Sequence, residues 1–108
     1  MREEILARAY SILSSESKWA KRAWARCRTG QTCPPASNAA RQWSLDGAIY
    51  FAAHDLGKTV DDATQVIESL EEAMDGKTAL YWNDRASRKF VEVKGLLAAA
   101  IAEERSIA

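Results

Sequence analysis

The chain has 108 residues, 47% of them hydrophobic and 28% charged, with basic and acidic side chains in equal number. This is enough material for one folded domain without a metal or disulfide staple, and it excludes an intrinsically disordered polymer. No apolar run approaches the ~18 residues of a membrane span, and the opening MREEILARAY has acids where a signal peptide is apolar, so a cytoplasmic protein with no membrane partner is expected.

Charge is balanced but unevenly spread: residues 1–45 sum to +5, residues 46–84 to −7 and residues 85–108 to +2. Along the chain almost every segment repeats its apolar residues at helical spacing. In residues 2–14, Ile5, Leu6, Ala9, Ile12 and Leu13 share one face, and Ser14, Ser15 and Ser17 then interrupt the helix. The stretch KWAKRAWARCR at 18–28 follows, with Trp19, Ala20, Ala23, Trp24 and Cys27 in one apolar arc and Lys18, Lys21, Arg22, Arg26 and Arg28 around the rest. That spacing predicts an amphipathic helix. Gly30 suits a left-handed cap, and Pro34-Pro35 rule out continued helix in TGQTCPPAS. A short hairpin near 26–33 fits this region nearly as well.

Residues 38–56 are apolar nearly all round, which predicts a central helix packed on several sides and ended by Gly57. Gly47 in its middle costs ~1 kcal/mol relative to alanine and suggests close approach by another element, for which Trp82 is the candidate. Thr59 and Asp62 form an aspartate version of the capping box. The helix after it buries Val60, Ala63, Val66, Ile67, Leu70, Ala73 and Met74 and ends at Gly76. The linker KTALYWNDRA carries a turn signal at Asn83-Asp84, and Ser87 then caps a last helix with Phe90, Val93, Leu96, Leu97, Ala100 and Ile101 inward. The expectation is an all-α single domain over 1–108: a compact bundle of about five helices around the central one.

Three places can carry chemistry. The five cations Lys18, Lys21, Arg22, Arg26 and Arg28 on one helical face can grip phosphates, so nucleic acid is a candidate partner; the plainer reading is a solvated face partly satisfied by the acidic helix at 59–75. On the central helix Asp46, Tyr50 and His54 are spaced i, i+4, i+8, which lines a carboxylate, a phenol and an imidazole along one stripe. With Asp84, and walled by Trp43 and Trp82, they are weak candidates for general acid and base work; a structural role is the competing reading. The third place is Trp82-Asn83-Asp84, either a polar turn satisfying loose amides or part of a cleft. Cys27 and Cys33 are expected as free thiols, and with only His54 as a further soft ligand neither a metal nor a cofactor is expected.

RQWSLDGAI at 41–49 and YWND at 81–84, with KWAKRAWAR before them and VEVKGLLAAAI after, resemble a family of small uncharacterised proteins of bacterial and phage genomes. Its members carry W-x(2)-G-A-x-A-R, W-C-x(2)-G-A-[LI] and W-N-D. The resemblance groups Trp19, Ala23 and Arg26 with Trp43, Gly47 and Ala48 and with Trp82, Asn83 and Asp84. It implies a compact domain and no known activity. Ser44 stands where the family has cysteine and Arg22 where it has glycine, which argues against thiol chemistry. The leading expectation is a non-enzymatic protein-interaction module, through a protein partner or self-association, of accessory or phage-derived origin; nucleic-acid binding and a small enzyme are the alternatives.

Overall fold

The computed structural model describes residues 2–107. Five α-helices and one two-stranded sheet follow in the order α1 (Arg2–Ile12), β1 (Ala25–Cys27), β2 (Ala40–Trp43), α2 (Leu45–Asp55), α3 (Val60–Glu71), α4 (Ala79–Asp84) and α5 (Phe90–Ile107), with 3-10 turns at Glu16–Lys18 and Glu72–Met74. The all-α expectation is therefore corrected to a mostly helical α/β fold.

The helices form where apolar spacing and caps agree. α1 buries Ile5, Leu6 and Ala9 and packs on α2 and α5. Its C-terminal end is closed by Lys94 of α5, whose Nζ donates to Tyr10 O in the last turn at 2.7 Å and to Leu13 O just past it at 2.9 Å. α3 starts on the full capping box: Thr59 Oγ1 accepts from Asp62 N at 3.1 Å and Asp62 Oδ2 from Thr59 N at 3.0 Å. It turns Ala63, Val66, Ile67 and Leu70 inward. α2 runs through the middle, touching α1, α3, α4 and β2, and its Ala48, Ala52 and Ala53 are small enough for neighbouring helices to come close. On α5, Val93, Leu97 and Ile101 complete the core at four-residue intervals.

Three boundaries differ from the sequence expectation. The central helix begins at Leu45, because Ser44 is its N-cap, extended at φ −73° and ψ 175° and accepting from Gly47 N. Residues 40–43, expected in that helix, are β2. YWND lies inside α4, a short helix capped by Thr78 Oγ1, which accepts from Tyr81 N at 3.2 Å. Ser87 caps nothing: α5 starts at Phe90, with the Lys89 amide donating to Glu92 Oε1 at 2.7 Å.

The largest correction concerns 18–28, which is no helix. β1 pairs antiparallel with β2, Ala25 opposite Trp43 and Arg26 opposite Gln42, with an irregularity before Cys27 meets Ala40. The chain also doubles back after β1, Cys27 N donating to Gln31 O at 2.8 Å and Cys33 N to Ala25 O at 3.0 Å. The backbone groups of this segment find partners outside it: Ala20 N donates to Trp43 O and Ser44 N to Trp24 O. Arg22, at φ 63°, sits in the left-handed region that a helix cannot contain, its N–H held by Asp84 Oδ1 at 2.8 Å. Alanine, arginine and lysine favour helices by only tenths of a kcal/mol each, and these tertiary bonds outweigh that preference. The expected faces break up: Ala20 is buried as its place in the apolar arc predicts, but so is Ala25 from outside that arc, and Trp24 is 52% exposed.

Candidate functional site

The motif residues meet at one buried amide. Asn83 is fully buried on α4 and uses all four of its hydrogen-bonding positions. Oδ1 accepts from Trp19 Nε1 at 2.7 Å and Leu45 N at 3.0 Å; Nδ2 donates to Ala20 O and Asp84 Oδ1, both at 3.0 Å. One side chain thus ties the 19–20 segment and the start of α2 to α4. Lys21 fastens the same junction from outside, its Nζ donating to the carbonyls of Arg85 at 2.8 Å, Arg88 at 3.1 Å and Ala86 at 3.3 Å.

Beside this hub, Asp46 lies in the first turn of α2, only 6% exposed. Burial pushes its carboxyl above the ordinary carboxylate range, and the charge of Asp84 adds to the effect. The Ser44 hydroxyl, donating to Oδ1 at 2.6 Å, works in the opposite direction without overcoming it. Position 44 is thus a cap and a carboxylate partner. Gly47 does mark a close approach, but the approaching element is the backbone of Trp24 and not Trp82: a Cβ at position 47 would stand 1.8 Å from Trp24 O. Ala48 is buried beside it.

The proposed acid–base stripe does not converge. Asp46 is buried at one end of α2, His54 is exposed at the other, and Asp84 borders a different hollow. Trp43 and Trp82 are engaged by different neighbours: Trp43 stacks on Phe51 with centroids 5.2 Å apart and donates to Pro35 O at 3.0 Å, and Trp82 is covered by the Arg88 guanidinium at 3.8 Å. The basic stripe is also dispersed. Lys21 is bound to carbonyls, and Arg26 donates to Gly30 O at 2.9 Å and Lys21 O at 3.1 Å. Lys18, Arg22 and Arg28 remain exposed, and among the described residues no ion pair joins this segment to the acidic helix α3.

Tyr50 and His54, which their spacing had grouped on one stripe, do share one site, and its other walls are the ones composition and periodicity missed. Trp24, Pro34, Pro35, Tyr50, His54 and Lys58 line a mostly apolar cleft of about 360 Å³ between the loop after β1 and the end of α2. The Trp24 and Tyr50 rings lie 5.9 Å apart, tilted by 46°. The Pro34-Pro35 pair in a loop beside an exposed aromatic was the available signal, hidden by assigning Trp24 to a helix core. Cys27 and Cys33 are free; the Thr29 hydroxyl, 3.0 Å from Cys27 Sγ, holds that thiol below its ordinary pKa, and burial raises that of Cys33. Among the described residues no group of three or more His, Cys, Asp or Glu is placed to hold a metal ion, and no helix is long and apolar enough to cross a membrane.

Comparison with curated proteins and with solved structures returns no significant match. A family model does match, over residues 2–103, a span that takes in the Asn83 hub, the Trp24 cleft and every helix from α1 into α5. On that coverage the chain belongs to DUF6197, a family of unknown function.

Proposed function

We propose that the protein is a non-enzymatic protein-binding module that receives an extended, proline-containing segment of its partner in the cleft beside Trp24. The observation that carries this is an indole left 52% exposed at the edge of a cleft whose walls are a second aromatic ring and two prolines. An exposed tryptophan costs solvation free energy on the order of 1–3 kcal/mol, which a partner recovers by covering it. Proline-rich segments suit such walls: they hold an extended left-handed conformation in advance, so they lose little entropy on docking, and their rings lie flat on aromatic faces. Lys58 is the cleft's one formally charged lining residue, and an acidic residue flanking the prolines complements it. The setting we assign is cytoplasmic, in keeping with the two free thiols. An accessory or phage-derived origin rests on the W-N-D and W-x(3)-G-A resemblance alone.

The test is a fluorescence-anisotropy titration of dye-labelled synthetic peptides that carry a Pro-Xaa-Xaa-Pro core with or without a flanking aspartate. Saturable binding lost in Trp24→Ala and weakened in Lys58→Glu is the expected result. Saturation that survives Trp24→Ala, or none with any peptide, overturns the proposal.

A further inference from the structure

A second surface stands apart from the cleft and shares no residue with it. Around the α4–α5 junction three hollows of about 330, 510 and 460 Å³ adjoin one another through shared lining residues. The first and second share Tyr81 and Arg85, and the first and third share Arg88. Taken in series they form a track bordered by five cations, Lys21, Lys77, Arg85, Arg88 and Lys89, against the acids Glu16, Asp75 and Asp84. Of these acids, Asp84 is occupied by the Arg22 amide and by Asn83. Nearby Glu92 is paired with Arg88 at 3.2 Å and with the Lys89 amide. Neither cancels Lys77, Arg85 or the ammonium of Lys89 by direct contact.

Aromatic rings alternate with these cations. Lys77 Nζ lies 5.1 Å from the centre of Tyr81, Arg88 lies 3.8 Å over Trp82, and Lys21 lies 5.1 Å over Trp19. Trp82 is half-buried and covered by a guanidinium whose side chain is only 12% exposed and whose charge is met by Glu92, so Arg88 is a fixed wall of the track and not a free phosphate site. Tyr81 is different: it is 58% exposed and lines two of the hollows. Cations spaced along a track with an open aromatic ring between them are what an unpaired nucleic-acid strand requires, phosphates on the cations and a base on the ring. A duplex needs an element shaped to enter a groove, and its bases are already stacked on each other.

We infer that this track binds single-stranded nucleic acid, with Lys77, Arg85 and Lys89 on phosphates and Tyr81 stacking a base. The cations that the sequence analysis gathered into one helix act here differently. Lys21 braces the α4–α5 loop by its carbonyls, and the backbone of Arg22 is bonded to Asp84, so the 18–22 segment shapes the track more than it fills it.

Fluorescence anisotropy with a short labelled oligouridylate and an oligothymidylate, at low and physiological salt, tests this on the full chain. Saturable binding at low salt is expected, weakened about tenfold or more in Lys77→Glu/Arg85→Glu, with the dependence of log affinity on log salt shallower by about 1.4 for the two lost phosphate contacts. Tyr81→Ala lowers affinity about fivefold or more at an unchanged salt slope, and Tyr81→Phe restores it. All these positions are exposed, and urea unfolding of each variant confirms that the fold is intact. Arg28→Glu, an exposed position that lines none of the three hollows, changes affinity less than the track variants. Absence of saturable binding at low salt, indifference to Lys77→Glu/Arg85→Glu or to Tyr81→Ala, or equal affinity for the duplex of the same sequence overturns the inference.

Discussion

Replacing Gly47 by alanine sets two effects of opposite sign against each other. Gly47 is in the first turns of α2, where alanine is intrinsically better by about 1 kcal/mol, so helix propensity alone favours the variant. The structure gives the opposite answer. The added Cβ would stand 1.8 Å from Trp24 O and 2.8 Å from the carbonyl carbon, both backbone atoms that no rotamer change can remove. To reach ordinary contact at about 3.4 Å the Trp24 peptide must retreat by roughly 1.6 Å. That carbonyl accepts from Ser44 N at 3.0 Å, so the retreat breaks a bond at the mouth of the β1–β2 ribbon, worth about 1 kcal/mol, and adds overpacking of about 1–3 kcal/mol. The net expectation is a loss of about 1–3 kcal/mol after the propensity gain, seen as a lower urea midpoint at unchanged slope. Gly47→Ala as stable as the parent, or more so, would refute the close approach of the Trp24 carbonyl.

Asn83→Ala strips partners from the Trp19 indole, the Leu45 amide and the Ala20 carbonyl at once, and at about 1–3 kcal/mol for each buried group left unpaired it is expected to cost at least 3 kcal/mol by urea unfolding. Asn83→Asp is expected to fare little better, since it restores the acceptor but not the two donors and adds charge beside Asp84. Asp46 holds its proton more tightly folded than unfolded, so the folded state binds more protons between the ordinary carboxylate pKa and the raised one; stability falls as pH rises through that window, and the deficit persists above it. Asp46→Asn, which keeps an acceptor for Ser44, is therefore expected to gain stability at pH 7 and lose that advantage near pH 3, and a pH-independent difference in melting temperature would contradict the assignment. Lys94→Met keeps the aliphatic stem but uncaps α1, with an expected loss of about 1–2 kcal/mol and earlier amide exchange in its last turn.

α1, α3 and the body of α5 were legible because each has a long apolar face with ordinary helical period, and α3 also announces its start through Thr59 and Asp62. The β1–β2 ribbon was not. Its strands are three and four residues long, too short for alternation to register, and the pairing joins residues as far apart as Ala25 and Trp43. Eleven residues of KWAKRAWARCR satisfy a helical wheel well, yet nothing in their own spacing reveals that Trp43, Ser44 and Asp84 hold their backbone. Gly47 was correctly marked as a point of close approach, and its partner was misassigned because a backbone carbonyl has no side-chain signature. The Asn83 hub was gathered by family resemblance; periodicity could not have joined Trp19 to a residue 64 positions away. The cleft followed the error on Trp24, since a ring assigned to the core is not sought on the surface.

The reach of Asn83 also fixes when it can form. Its bonds to Trp19 and Leu45 close chain loops of 64 and 38 residues. Closing about 64 residues in an unfolded chain costs some 2.5 kcal/mol more than closing a four-residue helical turn, so the amide gains nothing until α1, α2 and α5 have docked and shortened the path. The hub is thus a late event in folding and an early one in opening. During refolding the Trp19 indole proton should acquire its protection after the helical amides of α2 have acquired theirs.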